Sequence, residues 1–258
     1  MARQDYKRPP VDEVVCSIQF APLETWKIAH VGAFWERIKG EFPKCEHAPP
    51  LDVAGPENND PATGLPLPRV WLISQDETQL VQLQRNRFIY NWRKRPSGGP
   101  YIGYEAIRDV FLRNLFRYRD FFHEQRIGDI LPRQFELAYI DIVPQGEGWE
   151  AHTDIGKILP VLGAMSSNSF DLQVTGLDFG TILAAPDIGG AVHVRINQGT
   201  RISDGKPLFR LEFRAFGIDS GPSIDAVPTW LDRAHDQITS VFAKATSDYA
   251  RNELWQGR

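Results

Sequence analysis

The chain has 258 residues, of which 42% are hydrophobic and 24% charged, a profile that excludes a disordered or fibrous protein and allows one large domain or two of ordinary size. Its net charge is −4, so the composition is not that of a strongly basic nucleic-acid-binding protein. No long apolar run is present, and the N-terminal MARQDYKRPPVDEVV lacks the apolar stretch of a secretory signal, so we expect a cytoplasmic protein with no membrane contact.

The first half of the chain has the pattern of short strands followed by a long helix. VVCSIQF is predicted to be a strand in which Cys16 is a small buried hydrophobe, FWERIKGEF a short helix, and Cys45 part of a loop. RVWLISQD, TQLVQLQ and NRFIYNWRK then alternate as strands. The helix that follows has one apolar stripe, formed by Tyr104, Ile107, Phe111, Leu115, Tyr118 and Phe122.

The second half repeats this order. RQFELAYIDIVP is predicted to be a strand and residues 153–160 a short helix, and FDLQVTG, FGTILAA, AVHVRINQ and LFRLEFRAF follow as strands. A last helix begins near Pro228, a residue favoured in the first turn. We therefore predict an α+β fold of two tandem copies, residues 1–130 and 131–258. Each copy is a strand, a short helix, three or four antiparallel strands and a long helix, and the two pack together as one compact body.

The stretch QLQRNRFIYNWRKR shows how such a sheet divides its side chains. Phe88, Tyr90 and Trp92 point to one side of the strand, and we assign that side to the core beneath the helix. The polar residues then lie on the opposite face, which is either a solvated surface or a platform for a ligand. The candidate ligand-binding residues on this face are Arg85, Arg87, Asn91, Arg93, His193, Arg195, Arg210 and Arg214.

Local charge leaves a nucleic-acid alternative open. Residues 85–126 carry 10 basic and 4 acidic side chains, a net charge of +6, which points to an anionic partner. Arginine beside exposed aromatic residues can bind phosphates and stack on bases. Two observations weigh against nucleic acid: the aromatic residues are assigned to the core, and the sequence pI is about 5.9.

The chain carries weaker signs of catalysis, so a hydrolase or a nucleotide-processing enzyme stays an alternative. His152 and Asp154 could form an acid/base pair, with Asp141 as a further carboxylate, although a His-x-Asp segment near a helix start is equally typical of a helix cap. The six histidines are scattered without metal-ligand spacing. The glycine-rich PSGGPYIGYE lacks the ending of a phosphate-binding loop. No cofactor or metal is indicated.

Between residues 46 and 69 lies EHAPPLDVAGPENNDPATGLPLPR, which is rich in proline and has neither helical nor strand periodicity. A loop of this length inside a compact domain is either mobile or functional, for instance as a flap over a site.

Four segments, PPVDEVVCSIQF, RNRFIYNWRK, YEAIRDVFLRNL and FELAYIDIVP, resemble a sporadically distributed prokaryotic family of proteins of about this length with no assigned function. Many relatives have asparagine where this chain has Asp141. The order of elements is similar to that of the duplicated TATA-binding-protein and helix-grip folds, which is a likeness of topology alone. The resemblance implies no catalytic residues.

We therefore expect a non-enzymatic binding or regulatory protein. Its ligand would bind the polar sheet face or a cleft between the repeats, and the resemblance suggests a component of a bacterial defence or stress system. The partner could be an anionic ligand, a nucleic acid or a protein, and an exposed sheet edge is compatible with a homodimer.

Overall fold

The computed structural model describes residues 6–51, 56–163, 175–221 and 223–257. Its strands form one antiparallel sheet of nine strands, which confirms the sheet of the predicted α+β class. In chain order the strands are β1 (Val11–Phe20), β2 (Lys44–Ala48), β3 (Arg69–Ile73), β4 (Gln79–Gln84), β5 (Arg87–Arg93), β6 (Pro132–Pro144), β7 (Asp178–Ala185), β8 (Gly190–Thr200) and β9 (Pro207–Gly217). Their order in the sheet is β2-β3-β4-β5-β1-β6-β9-β8-β7.

The helices are interspersed among the strands along the chain. They are α1 (Ala29–Ile38), α2 (Tyr104–Glu124), α3 (Ile155–Ile158) and α4 (Val227–Ala245), and a π-helical turn spans Ala250–Leu254. Short 3-10 turns occupy Pro56–Asn58, His152–Asp154, Pro160–Leu162, Pro186–Ile188 and Ile224–Ala226. Within the described residues, none of these helices combines the length and apolarity that a membrane span requires.

The chain divides into two compact units. We call Glu13–Leu137 with Phe216–Asp232 the amino unit, and Met1–Asp12, Ala138–Ala215 and Arg233–Arg258 the carboxyl unit. Each unit draws segments from both halves of the sequence. The division into tandem copies at residues 130 and 131 stays a prediction.

The core of the amino unit is a cluster of aromatic rings between the sheet and α2. Gly103 precedes the helix with a φ of 88°, a left-handed backbone conformation that favours glycine. From α2, Tyr118 packs its ring centroid 5.2 Å from that of Phe88 and 4.5 Å from that of Phe122. The Trp26 indole donates a hydrogen bond to the Tyr118 hydroxyl at 3.2 Å. The predicted stripe of α2 is confirmed, since all six of its residues are buried.

The inward assignment of the β5 aromatic residues is also confirmed. Phe88, Tyr90 and Trp92 are at most 2% exposed, and they pair across the sheet with Ile18, Cys16 and Val14 of β1. Burial of the Cys16 thiol raises its pKa, so this residue behaves as the expected small hydrophobe.

Cys45 differs from the prediction, because it is exposed and lies in strand β2 rather than in a loop. This short strand pairs with β3, with Cys45 opposite Leu72. Its sequence, KCEHA, carries no alternation of apolar and polar residues. The strand is specified by pairing with a neighbour that is distant in the chain, which local periodicity cannot show.

In the carboxyl unit, β8 and β9 place alternate residues in a second core, as the sequence predicts. Val192, Val194 and Ile196 of β8 are buried, and Phe209 of β9 packs on Trp149 with ring centroids 4.5 Å apart. The predicted strand FDLQVTG begins at residue 170 and falls mostly on residues 164–174, outside the described part of the chain.

Truncation of Trp92 tests the inward face of β5. Trp92 is 2% exposed, and its ring packs edge-on against Tyr101 at 5.2 Å. We expect Trp92→Ala to lower the free energy of unfolding by about 3–5 kcal/mol, since it removes a large buried ring and leaves a cavity. The measurement is urea denaturation, with Ile202→Ala as the control, because Ile202 is fully exposed. Equal stability of the two variants would show that Trp92 is not part of the core.

Candidate functional site

The face of the amino-unit sheet that points away from α2 is polar. In the β5 register, Ile89 lies opposite Ser17 of β1 and Gln82 of β4, and Gln82 lies opposite Trp71 of β3. Because side chains alternate between the two faces of a strand, every second residue along these strands shares this side. We call it the polar face, and its polar or charged members are Glu13, Ser17, Gln19, Arg69, Trp71, Gln82, Gln84, Arg87, Asn91, Arg93 and Glu136.

Much of the polar face is buried, which disagrees with a solvated surface, one of the two alternatives that the sequence left open. Ser17 is 2% exposed, and Gln82 and Asn91 are each 5% exposed. Buried amides and hydroxyls are expensive unless they are hydrogen-bonded. The partners of each group therefore decide whether this face is purely structural.

A chain of amide hydrogen bonds crosses three strands of the polar face. The Gln82 side-chain amide donates to the Asn91 side-chain oxygen at 2.6 Å, and the Asn91 amide donates to a Glu13 carboxylate oxygen at 2.7 Å. This chain orients both amides and fixes Asn91, a predicted ligand-binding residue, in one rotamer. Such a connected network is a rigid surface.

Other buried atoms of the polar face have no hydrogen-bond partner within the described residues. They include Ser17 Oγ, Gln82 Oε1, Trp71 Nε1 and the Nε atoms of Arg69 and Arg93. Each such group costs about 1–3 kcal/mol of stability. Native proteins bury few polar groups without partners, so these atoms are candidates for contact with a ligand.

The predicted arginines of the amino unit have different roles. Arg87 forms an ion pair with Glu136 at 3.6 Å, in which the side chains are 12% and 10% exposed. Arg93 donates to the backbone carbonyl of Glu77 at 3.2 Å. Arg85 lies in the turn before β5, not on the polar face, and its guanidinium donates to backbone carbonyls of Glu57, Asn59 and Leu23.

The described part of the long 46–69 segment is anchored at one end of the polar face. Gln84 donates to the Asn58 side chain at 2.8 Å and accepts from the Leu51 backbone at 3.0 Å. The Arg133 guanidinium contacts Glu57 at 2.6 Å, and this hydrogen bond lowers the pKa of the Glu57 carboxyl. The first residues of the segment belong to β2, so the segment begins in the sheet and is not entirely a loop.

The predicted site residues of the carboxyl unit form a separate group. Arg195 pairs with Asp178 at 3.0 Å on an exposed surface. Arg210 and Arg214 contact the two oxygens of Glu212 at 2.6 and 2.7 Å. Burial raises the pKa of Glu212, but the two arginines outweigh burial and lower it overall. His193 lies opposite Ile182 of β7.

The candidate acid/base residues do not form a catalytic pair within the described part of the chain. His152 bonds Gln198 through Nε2 at 2.5 Å. Asp154 contacts Lys157 and accepts hydrogen bonds from the backbone N–H groups of Glu150 and Ala151, and these contacts lower its pKa. This arrangement is that of a cap on the turn.

Asp141 is a buried carboxyl group in the carboxyl unit and is 2% exposed. Burial and the neighbouring charge of Asp12 raise its pKa to about 7. Burial raises the pKa of the Tyr6 hydroxyl, and the charge of Asp141 raises it further. The described residues contain no cluster of three or more His, Cys, Asp or Glu side chains that could hold a metal ion.

Sequence reasoning missed Ser17, Arg69, Trp71 and Gln82 as members of the polar face. The signal was present in RVWLI and QLVQLQ, where Val70 and Leu72 alternate with Trp71, and Gln82 and Gln84 with Leu83. The side-chain directions of β3 and β4 follow from those of β5 only when the pairing of the three strands is known.

The comparisons with known proteins leave the function open. No family model matches the sequence, and no curated protein matches it. Among solved structures, the chain is similar to the di-domain ARO/CYC StfQ from the steffimycin biosynthetic pathway. The identity is 12% over 90% of this chain and 98% of that chain, with a TM-score of 0.16. A TM-score this low carries no argument about fold or function.

Replacement of Arg87 tests whether the polar face is buried. Arg87→Gln removes the cation that pairs with Glu136 in a site that is about nine-tenths buried, so we expect a loss of roughly 2–4 kcal/mol in the free energy of unfolding. Arg195→Gln makes the same change in an exposed ion pair and should cost less than about 1 kcal/mol. Urea denaturation of both variants at one pH measures the difference, and equal losses would mean that the polar face is solvated.

Replacement of Asp141 tests its raised pKa. Between about pH 4 and pH 7 the folded protein holds a proton on Asp141 that the unfolded chain releases, so stability falls as the pH rises through this window, by up to about 1.4 kcal/mol per pH unit. We expect Asp141→Asn to remove this contribution and to be more stable than the parent at neutral pH. Denaturation curves across the window should show it. Asp129→Asn is the control, because its side chain is 82% exposed, and a pH profile of Asp141→Asn that parallels the parent would contradict the raised pKa.

Proposed function

We propose that this chain is a non-enzymatic binding or regulatory protein that holds a small polar ligand on the polar face of the amino unit. One observation carries the proposal: Ser17 and Gln82 are buried, lie on the same face, and each has a polar atom without a hydrogen-bond partner in the described residues. A ligand that supplied those hydrogen bonds would offset their cost.

The surroundings of these atoms support binding rather than an accident of packing. Gln82 is held in place by its hydrogen bond to Asn91, and Asn91 by its hydrogen bond to Glu13. On the other side of the same strands, the aromatic cluster fixes the backbone against α2. A preorganised polar surface loses little entropy when it binds a ligand, which is the usual requirement for affinity.

The residues that suggested nucleic-acid binding or hydrolysis make contacts that give those two functions less support. Within residues 85–126, Arg113 and Arg117 both pair with Glu41, and Arg108 pairs with Asp232 at 2.7 Å. These ion pairs neutralise much of the local positive charge that suggested nucleic acid. His152 and Asp154 are each engaged with other groups, so they do not form the acid/base pair on which the hydrolase alternative depends.

We further propose that the chain is a tandem duplication, because a strand, a helix, four strands and a long helix (β1 to α2) are followed by a strand, a short helix, three strands and a long helix (β6 to α4). The resemblance to a sporadically distributed prokaryotic family suggests that the protein acts in a defence or stress system. A cytoplasmic location and a homodimer belong to the same proposal.

The binding proposal is tested with Ser17→Ala. The Ser17 hydroxyl has no partner, so its removal should leave the free energy of unfolding equal or higher while it weakens binding. Adding Gln82→Leu removes a second polar group, and we expect the double variant to lose affinity about tenfold or more, at roughly 1 kcal/mol for each hydrogen bond. Native mass spectrometry of the purified parent identifies a co-purifying small molecule, and its occupancy is then compared between parent and variants.

Ser203→Ala serves as the matched control, because it makes the same substitution at an exposed position of the carboxyl unit. A Ser17→Ala protein destabilised by more than about 1 kcal/mol would show that the hydroxyl is structural. Equal ligand occupancy in the parent and the double variant would place binding elsewhere.

A further inference from the structure

Arg69 is a cation of the polar face without a carboxylate partner in the described part of the chain. Its guanidinium carbon lies 5.5 Å from the centre of the Trp71 ring, and its buried Nε atom has no hydrogen-bond partner. Burial and the positive charge of Arg87 both lower the pKa of Arg69. A guanidinium nevertheless remains charged in proteins, so this charge is partly desolvated and uncompensated.

The sheet register explains why the two cations influence one another. Val70 lies opposite Leu83, and Gln84 lies opposite Arg87. The same register places Arg69 beside Gln84, two strands from Arg87, at a backbone separation of about 10 Å. Arg87 is matched by Glu136 at 3.6 Å. Of these two arginines of the polar face, Arg87 is therefore paired with a carboxylate and, within the described residues, Arg69 is not.

The unsatisfied atoms around Arg69 are mainly donors. Trp71 Nε1 and Arg69 Nε can only donate, whereas Gln82 Oε1, on the neighbouring strand, is an acceptor. A ligand that satisfied this set would bring more acceptors than donors. Carboxylate and phosphate groups have that property, and they pair with guanidinium in a favourable geometry.

We propose that the ligand of the polar face is a small molecule that carries an oxyanion group, a carboxylate or a phosphate, and that Arg69 binds this group. The indole N–H of Trp71 supplies a further donor, and Gln82 accepts a hydrogen bond from a neutral part of the ligand. This inference rests on the proposed function and names the chemical class of its ligand.

The test uses the full chain with inorganic phosphate and with succinate as separate probes. Thermal unfolding is followed as each anion is added, with sodium chloride at matched ionic strength as the reference. A ligand that binds only the folded state raises the melting temperature. We expect a rise with at least one probe, and which probe acts distinguishes phosphate from carboxylate.

Arg69→Gln removes the charge while keeping a polar side chain. We expect the anion concentration that gives the half-maximal rise to increase about tenfold or more, the loss that follows removal of one charge-assisted hydrogen bond. Arg201→Gln is the matched control, because it removes the same charge from an exposed ion pair with Asp204 in the carboxyl unit and should respond to the anion as the parent does. Without anion, Arg69→Gln should melt at the same or a higher temperature than the parent, since it loses an uncompensated charge.

The outcomes separate this inference from the proposed function. If neither anion raises the melting temperature of the parent, or if Arg69→Gln responds as the parent does, the oxyanion assignment is wrong. In that case a neutral co-purifying molecule that is lost from the Ser17→Ala, Gln82→Leu protein would still support the polar face as a binding surface. If that molecule is also retained, both proposals fail.

Discussion

The packing of β5 against α2 is the constraint on which the amino unit depends. Phe88 contacts Phe111 and Tyr118, and Trp92 packs against Tyr101. Once these rings are fixed inside, the two-residue period of a strand determines the direction of every other side chain of β5. The pairing of β4 and β1 with β5 then fixes the side-chain directions of those strands as well. The polar face is thus a consequence of the aromatic core.

The polar face buries polar side chains at a cost in the free energy of unfolding. Part of it is satisfied, through the hydrogen bonds from Gln82 to Asn91 and from Asn91 to Glu13. Part of it is not, since Ser17, Trp71 and Arg69 retain buried atoms without partners in the described chain. A sheet with only a structural role would be more stable with apolar residues at these positions. Sites that break local packing rules in this way are usually those at which a protein acts.

The sequence predicts the elements of this fold better than their pairing. The 3.6-residue stripe of α2 and the alternation of β5 are local patterns, and the structure contains both. Strand β2 was missed because its five residues carry no period. Arg85 was misplaced because the strand begins two residues later, at Arg87, and a turn residue cannot be told from a strand residue by alternation alone. The polar face required the register of four strands, which depends on contacts between residues that are distant in the chain.

The two cysteines give the amino unit a pair of chemical reporters. Cys16 lies on the aromatic side of β1, next to Ser17, and is fully buried, whereas Cys45 is exposed on β2. Only the thiolate of a cysteine reacts with an alkylating reagent, so Cys16 can be modified only when β1 separates from the core. Its alkylation rate therefore reports the opening of the strand that carries Glu13 and Ser17. Cys45 reacts without any opening and serves as an internal reference in the same molecule, so a ligand that holds β1 against the core would slow the reaction of Cys16 and leave that of Cys45 unchanged.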